Sequence, residues 1–244
     1  MKILPVAPGH DPGDAAATAL DGRGEMTSTD DDMPGDAPCF AHDLVNGFPV
    51  DPATWRDVNR FRKAERARLL DLRRAQDQDA RARQAETIAE ALDRIVSPKP
   101  GLVIAAYWPI RAELDLRGWM ASAQSAGARI ALPVVVTRDA PVRFREWTPR
   151  CAMERGVWNI PIPSGGDWLT PDVVIAPVLG VDSQGYRLGN GGGYYDRTLA
   201  VQDPKPLTIG IGQEFAAMPT IYPMPWDIPM DHVVLGDGTT WPID

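Results

Sequence analysis

A mainly parallel β-sheet covered by helices on both faces, folded as a single α/β domain, is what this sequence predicts. Three observations lead there. At 244 residues with 44% hydrophobic and 24% charged side chains, the chain can bury one full-sized core. Beyond residue 97, short apolar runs of strand type alternate with helical stretches, the pattern of strand–helix–strand crossovers. The run 173–178 is almost continuously apolar, as a strand buried on both faces must be. No internal repeat interrupts this order.

Residues 1–50 read as a largely disordered acidic tail. They are rich in Gly and Pro, contain Asp30-Asp31-Asp32 and show no sustained apolar period. Phe40, Leu44, Val45 and Phe48 are anchors by which part of 39–50 could drape over the folded domain, which is expected to span 51–244. Asp51-Pro52 reads as an N-cap followed by proline at the first helical position. On the long helix that follows, at about 100° per residue, Trp55, Val58, Arg62, Arg66, Leu69 and Arg73 fall in roughly one quadrant. Arginines that share a face with core residues have two readings. Arg62 and Arg66 point into a cleft at the helix's edge, or their stems snorkel along the core.

A second helix over 79–96 carries Ile88, Leu92 and Ile95 and ends before Ser97-Pro98. Residues 102–107 form a strand; Asp115 caps a helix that Gly127 closes; 129–136 form the next strand. Val142, Phe144 and Glu146 alternate like an edge strand. Strands over 173–178, 207–211 and 232–235, with a short helix over 194–200, complete the set.

Composition removes several classes of function. A formal net charge of −8 argues against extended nucleic-acid binding. The longest apolar runs reach half of the roughly 20 residues that cross a bilayer, and no basic-plus-apolar leader opens the chain. Cys39 and Cys151 make neither a disulfide framework nor a zinc pattern. The scattered His10, His42 and His232 argue against a histidine-centred triad. A soluble cytoplasmic protein, monomeric and without nucleic-acid or membrane partners, is expected.

The most informative segment is the loop at 185–197. Gly189, Gly191, Gly192 and Gly193 follow a buried-type strand and lead into a helix, where bare amides and a helix N-terminus can grip phosphate. Tyr194 stands where a Rossmann fingerprint needs its spaced third glycine, and no Gly-Lys-Ser/Thr makes it a Walker A loop. An ordinary flexible turn is the competing reading of the glycines alone.

Arg187-Leu-Gly-x-Gly-x-Gly-Tyr-Tyr-Asp196 resembles the signature loop of the 5-formyltetrahydrofolate cyclo-ligases. Three further segments agree in order: Ala112-Glu113-Leu114-Asp115, Trp158-Asn159-Ile160-Pro161 with Pro163, and Asp227-Ile228-Pro229-Met230-Asp231 before His232. The resemblance spans roughly residues 60–235. It implies an enzyme that uses ATP and Mg2+ to convert 5-formyltetrahydrofolate into 5,10-methenyltetrahydrofolate, releasing ADP and phosphate through a phosphorylated formyl group. Phosphoryl transfer needs charge neutralisation and alignment more than a nucleophilic side chain, so the lack of a triad is no objection.

By the same resemblance, Gly189, Asn190, Gly191, Gly192, Gly193 and Tyr194 would surround ATP. Arg62, with Lys63 as its possible substitute, and Arg66 would turn towards it. Arg187 and Tyr195 are the catalytic candidates, Asp196 and Asp227 the magnesium carboxylates. Glu113, Trp158, Tyr194 and Tyr195 would meet the reduced folate. For Asp196, placement in a helix's first turn is an alternative; for Asp227 and Asp231, a turn-forming role; for Glu113, a solvated loop acid; for Trp158, plain core.

The chain departs from the family at Asn190 and Gly192, where Lys or Arg is common, at Ile162, and at Trp226, where polar residues are usual. Those changes keep two alternatives open: a folate- or nucleotide-binding regulatory protein without turnover, and a sugar-phosphate or other metabolite enzyme of related fold.

Overall fold

The computed structural model describes residues 44, 45 and 47–242. The reading of 1–50 as a tail therefore falls almost wholly outside the described residues.

The helix expected after Asp51 is α1, Pro52–Ala75; the Asp51 carboxylate accepts from Thr54 N at 2.7 Å. α2, Gln78–Val96, is capped by Asp77 and ends at Ser97, which adopts a left-handed conformation. Then come β1 (Val103–Ala105), α3 (Arg117–Ser125), β2 (Arg129–Val134), β3 (Arg143–Trp147), β4 (Trp168–Leu169) and β5 (Val173–Pro177). The chain continues through α4 (Tyr194–Val201), β6 (Leu207–Gly212), β7 (His232–Leu235) and β8 (Thr240–Pro242).

These eight strands form one sheet in the order β8-β7-β6-β5-β1-β2-β3-β4. The five from β7 to β2 are mutually parallel, and antiparallel strands finish both ends. β3 was expected at the edge, but the two-residue β4 pairs outside it through Phe144↔Leu169 and Arg145↔Trp168. β8 carried no expectation at all.

Side chains alternate across the sheet, as strand geometry requires. Ile104, Ile130, Leu132, Val173, Ile175, Ile209 and Val234 enter one core, covered by Ile88, Leu92 and Val96 of α2 and by Trp119 and Met120 of α3. Their neighbours Ala105, Ala131, Val174, Ala176 and Val233 enter the opposite core, covered by Leu199 of α4 and by Met230. A third cluster joins Leu69 of α1 to Leu179, Leu188, Met218 and Ile221. It lies against a small sheet made of Gly180–Asp182, Arg187–Leu188 and Ala217–Met218. Any Cβ at Gly180 would come within 3.0 Å of Leu69 Cδ1, so glycine is what lets α1 approach this closely.

From β1 the chain first builds rightwards to β4, then returns to β5 on the other side of β1 and builds leftwards. Strand order thus reverses between β1 and β5. Open parallel sheets form a crevice at the carboxyl ends of the strands beside such a reversal. The segments that leave β1 and β5 carry Glu113 and the glycine loop.

Candidate active site

The crevice is a cleft of about 1100 Å³ walled by α1, by the segments after β1 and β5, and by the start of α4. Arg187–Leu188 feeds directly into the loop. Gly191 at φ +96° and Gly193 at φ +63° take left-handed conformations that side chains avoid, and Gly193 becomes the N-cap of α4. No side chain caps that helix, so its first amides remain available to an anion. Arg66 donates from Nε to the Gly189 carbonyl at 2.9 Å, and a Cβ at Gly191 would sit 3.5–3.8 Å from its guanidinium. Burial, and then the nearby charge of Arg62, push the Arg66 pKa below the ordinary arginine value. Among the described residues no carboxylate pairs with it. Gly191→Ala is expected to strain the loop and cost about 1–2 kcal/mol of stability, as urea melts would read.

Arg62 belongs to the cleft wall but is otherwise engaged. Only 6% exposed, it donates from Nε to the Ile221 carbonyl (2.9 Å), from Nη2 to the Tyr222 carbonyl (2.8 Å), and from Nη1 and Nη2 to the two Asp227 oxygens (3.3 and 2.5 Å). Asp227 Oδ2 also accepts from Met224 N at 2.6 Å. Both Asp227 oxygens thus accept from donors that brace the 221–227 turn, and the residue lines the cleft. Lys63, one residue round the helix, is exposed and lies outside the cleft wall. Asp231 is also accounted for: its Oδ2 accepts from Thr208 N and Oγ1, both at 2.7 Å, and ties β7 to β6.

Arg187 and Asp196 form the second buried pair. Arg187 Nη2 donates to Asp196 Oδ1 at 2.9 Å and Nη1 to the Ile228 carbonyl at 2.7 Å; the same Oδ1 accepts from Ile228 N at 3.1 Å. Burial raises the Asp196 pKa, and Arg187 opposes that rise. Its Oδ2 makes no hydrogen bond among the described residues. One carboxylate oxygen is thus left to the cleft, and no cluster of three metal-binding side chains occurs among the described residues.

Glu113 is buried, 8% exposed, rather than a solvated loop acid. It follows Arg111 and Ala112, whose φ values of 48° and 59° are costly for side chains. Three contacts hold this turn and its acid. Gln213 donates from Nε2 to the Ala112 carbonyl (3.0 Å), Ile110 N donates to Glu113 Oε2 (3.0 Å), and Arg73 Nη1 lies 3.6 Å from Oε1. Arg73 also donates to Gln213 Oε1 (3.1 Å) and to the Val178 carbonyl (2.8 Å). Asn190 reaches Glu113 Oε1 from the glycine loop at 3.5 Å. Burial raises the Glu113 pKa, with Ile110 N and Arg73 pulling the other way. Arg73 and Gln213 were not among the expected site residues. Arg73 did share the quadrant of Arg62 and Arg66, whereas nothing local marks Gln213.

Trp158 is 59% exposed, so it is no core residue. It sits at φ 56° on the turn between Met153–Arg155 and Pro161–Pro163, edge-on to Tyr194 with ring centroids 5.3 Å apart. Tyr194 Oη accepts from Asp139 N at 3.2 Å. Tyr195 differs: the residue lines the cleft, but its hydroxyl is buried and has no hydrogen-bond partner among the described residues. Burial and then the charge of Glu113 push its pKa well above the usual tyrosine value, so it stays a neutral donor. The cleft thus combines an open glycine loop, three guanidinium groups with no carboxylate partner among the described residues (Arg66, Arg111 and Arg197), a buried carboxylate and an exposed aromatic wall. Such a set can seat a polyanion next to a flat, polar ring system.

No described helix is long and apolar enough to cross a membrane. Comparison with known proteins gives one consistent result. A curated relative from Mycolicibacterium smegmatis, named 5-formyltetrahydrofolate cyclo-ligase, is 30% identical over 181 residues, covering 69% of this chain and 90% of its own length. A relative of the same name from Escherichia coli K12 is 30% identical over 161 residues, covering 62% and 88%. The NMR structure of Aquifex aeolicus 5,10-methenyltetrahydrofolate synthetase superposes with a TM-score of 0.64 at 26% identity, over 75% of this chain and 92% of that one. A Mycoplasma pneumoniae synthetase shares the fold, with a TM-score of 0.58 at 24% identity. The profile of the 5-formyltetrahydrofolate cyclo-ligase family matches residues 58–236, which take in Glu113, Trp158, the glycine loop and Asp227. On that match and the agreement in fold, the chain belongs to the 5-formyltetrahydrofolate cyclo-ligase family.

Proposed function

We propose that the protein converts 5-formyltetrahydrofolate into 5,10-methenyltetrahydrofolate at the expense of ATP. The observation that carries this is one cleft in which the glycine loop and Arg66 lie beside Glu113, Trp158 and Tyr195. The formyl oxygen attacks the γ-phosphorus and ADP leaves. N10 then attacks the activated carbon and gives up its proton, and inorganic phosphate departs with the former formyl oxygen as the ring closes.

Each residue has a part in this scheme. The amides of Gly189 to Gly193 and the start of α4 receive phosphate oxygens, with Arg66 and Arg187 as fixed positive charge. Glu113 accepts hydrogen bonds from the amino-pterin, Trp158 and Tyr194 give it flat walls, and the Tyr195 hydroxyl donates to the oxygen being transferred. Bound magnesium would neutralise charge on the transferring phosphates. The free Asp196 oxygen fits it, because magnesium takes few protein ligands and keeps several waters. Asp227 does not fit without releasing Arg62, so we assign it the role of fixing that arginine. A net charge of −8 supports small-molecule partners over nucleic acid, and we propose that the protein acts as a cytoplasmic monomer.

The test is spectroscopic: purified protein with 5-formyltetrahydrofolate, ATP and Mg2+ is expected to develop the near-ultraviolet absorbance of methenyltetrahydrofolate, and to need all three. Folded protein that yields no product would sink the proposal. The uncharged Asn190 and Gly192 favour one alternative, a binding protein without turnover. That reading would be supported by normal folate binding with no ATP hydrolysis.

A further inference from the structure

The face of α1 that walls the cleft changes chemistry along its length. Trp55, Asn59, Arg62 and Arg66 recur at intervals of four, three and four residues, the repeat of a single helix face, and all four line the cleft. At a rise of about 1.5 Å per residue, Trp55 and Arg66 stand roughly 16 Å apart along the axis. The stripe is aromatic at one end, carries an amide next, and is cationic at the other end beside the glycine loop.

At the aromatic end Trp55 has company. Its ring meets Trp226 edge-on with centroids 5.1 Å apart, and Phe48, from the hairpin of Leu44–Val45 with Phe48–Pro49, lies 6.2 Å from Trp226 at 47°. None of these three rings belongs to a buried core cluster. Phe48 is exposed, Trp55 and Trp226 are half-buried, and all three line the cleft. They form an open notch of aromatic surface, and Trp158 with Tyr194 forms a separate one at the α4 end of the loop. A cleft with two aromatic ends and a cationic middle suits two flat ligands that meet over a polyphosphate.

We propose that the notch of Phe48, Trp55 and Trp226 holds the purine base of the nucleotide, with the sugar over Asn59 and the polyphosphate running to Arg66 and the glycine loop. This rests on the reading of ATP as phosphoryl donor. The span of roughly 16 Å matches an extended nucleoside triphosphate. Phe48 and Trp55 precede residue 58, where the family match begins, so this grip on the base is built from sequence outside the shared segment.

Full-length Phe48→Ala and Trp226→Ala test the proposal against inorganic tripolyphosphate, which has the charge of the nucleotide but no base. Each variant is expected to raise the KM for ATP about 5- to 20-fold, the range of one lost aromatic–base stack. The inhibition constant of tripolyphosphate and the KM for the folate should stay at wild-type values. An unchanged KM for ATP overturns the proposal. So does equal weakening of ATP and tripolyphosphate, or a rise confined to the folate KM, which would give the notch to the folate ring. Wild-type protein that binds no nucleotide overturns the ATP reading itself, whereas active wild type with indistinguishable variants overturns only the notch.

Discussion

Arg187→Ala is expected to lower kcat for methenyltetrahydrofolate formation by about 100- to 1000-fold, the loss typical of one fixed charge aimed at a transition state. The same change should destabilise the fold by about 3 kcal/mol, because a buried pair that loses one partner leaves the other charge uncompensated. Arg187 is 8% exposed and bonds both Asp196 Oδ1 and the Ile228 carbonyl, so its removal leaves, among the described residues, only the bond from Ile228 N to Asp196 Oδ1 between α4 and the 227–228 turn. Burial already lifts the Asp196 pKa, and without Arg187 it rises further. Arg187→Lys separates the two effects. It restores charge and much of the stability, but one ammonium cannot reproduce the two-armed contact, so kcat should remain well below wild type. Urea melts and single-turnover rates on both variants make the check. A variant that folds normally and turns over at the wild-type rate would remove Arg187 from the mechanism.

What was legible in the sequence followed from local rules. Asp51-Pro52 announced α1, the apolar run at 173–178 announced β5, and of the two readings open for Arg62 and Arg66 on their helix face, the cleft is the one that both of them line. Of the four glycines ahead of α4, Gly191 and Gly193 take left-handed φ values that explain the residue type at those two positions. What was not legible depends on partners far apart in the chain. Arg62 and Asp227 are separated by 165 positions, and no periodicity within either segment says that they neutralise each other. Gln213 reaches Ala112 across 101 positions by way of β6. β4, with two residues, is too short to display a period, and it displaced β3 from the edge. Lys63 could stand in for Arg62 on charge alone, but one step of about 100° carries it from cleft to solvent.

Arg73→Met is the second large effect, and it bears on why Glu113 sits where it does. The side chains are 2% and 4% exposed and 3.6 Å apart, so losing the guanidinium should cost about 3–5 kcal/mol by leaving a carboxylate buried and unpaired. Glu113 already titrates above the ordinary glutamate value because of burial, and Arg73 opposes that shift. Removing Arg73 raises it again. A carboxyl whose folded pKa is raised holds its proton more tightly folded than unfolded, so stability falls as pH rises from the unfolded value, about 4.3, towards the folded one. Wild type should show this loss, and Arg73→Met should show it extended to higher pH. If Glu113 meets the amino-pterin as proposed, the acid limb of folate affinity should move up with it, since the ionised carboxylate is the stronger acceptor. Glu113→Gln deletes the titrating group, and in that background Arg73→Met should cost less by about 1–3 kcal/mol, the coupling expected of residues in contact. Strict additivity in that cycle would mean that Arg73 serves only Gln213 and the Val178 carbonyl, and that burial alone sets the proton affinity of Glu113.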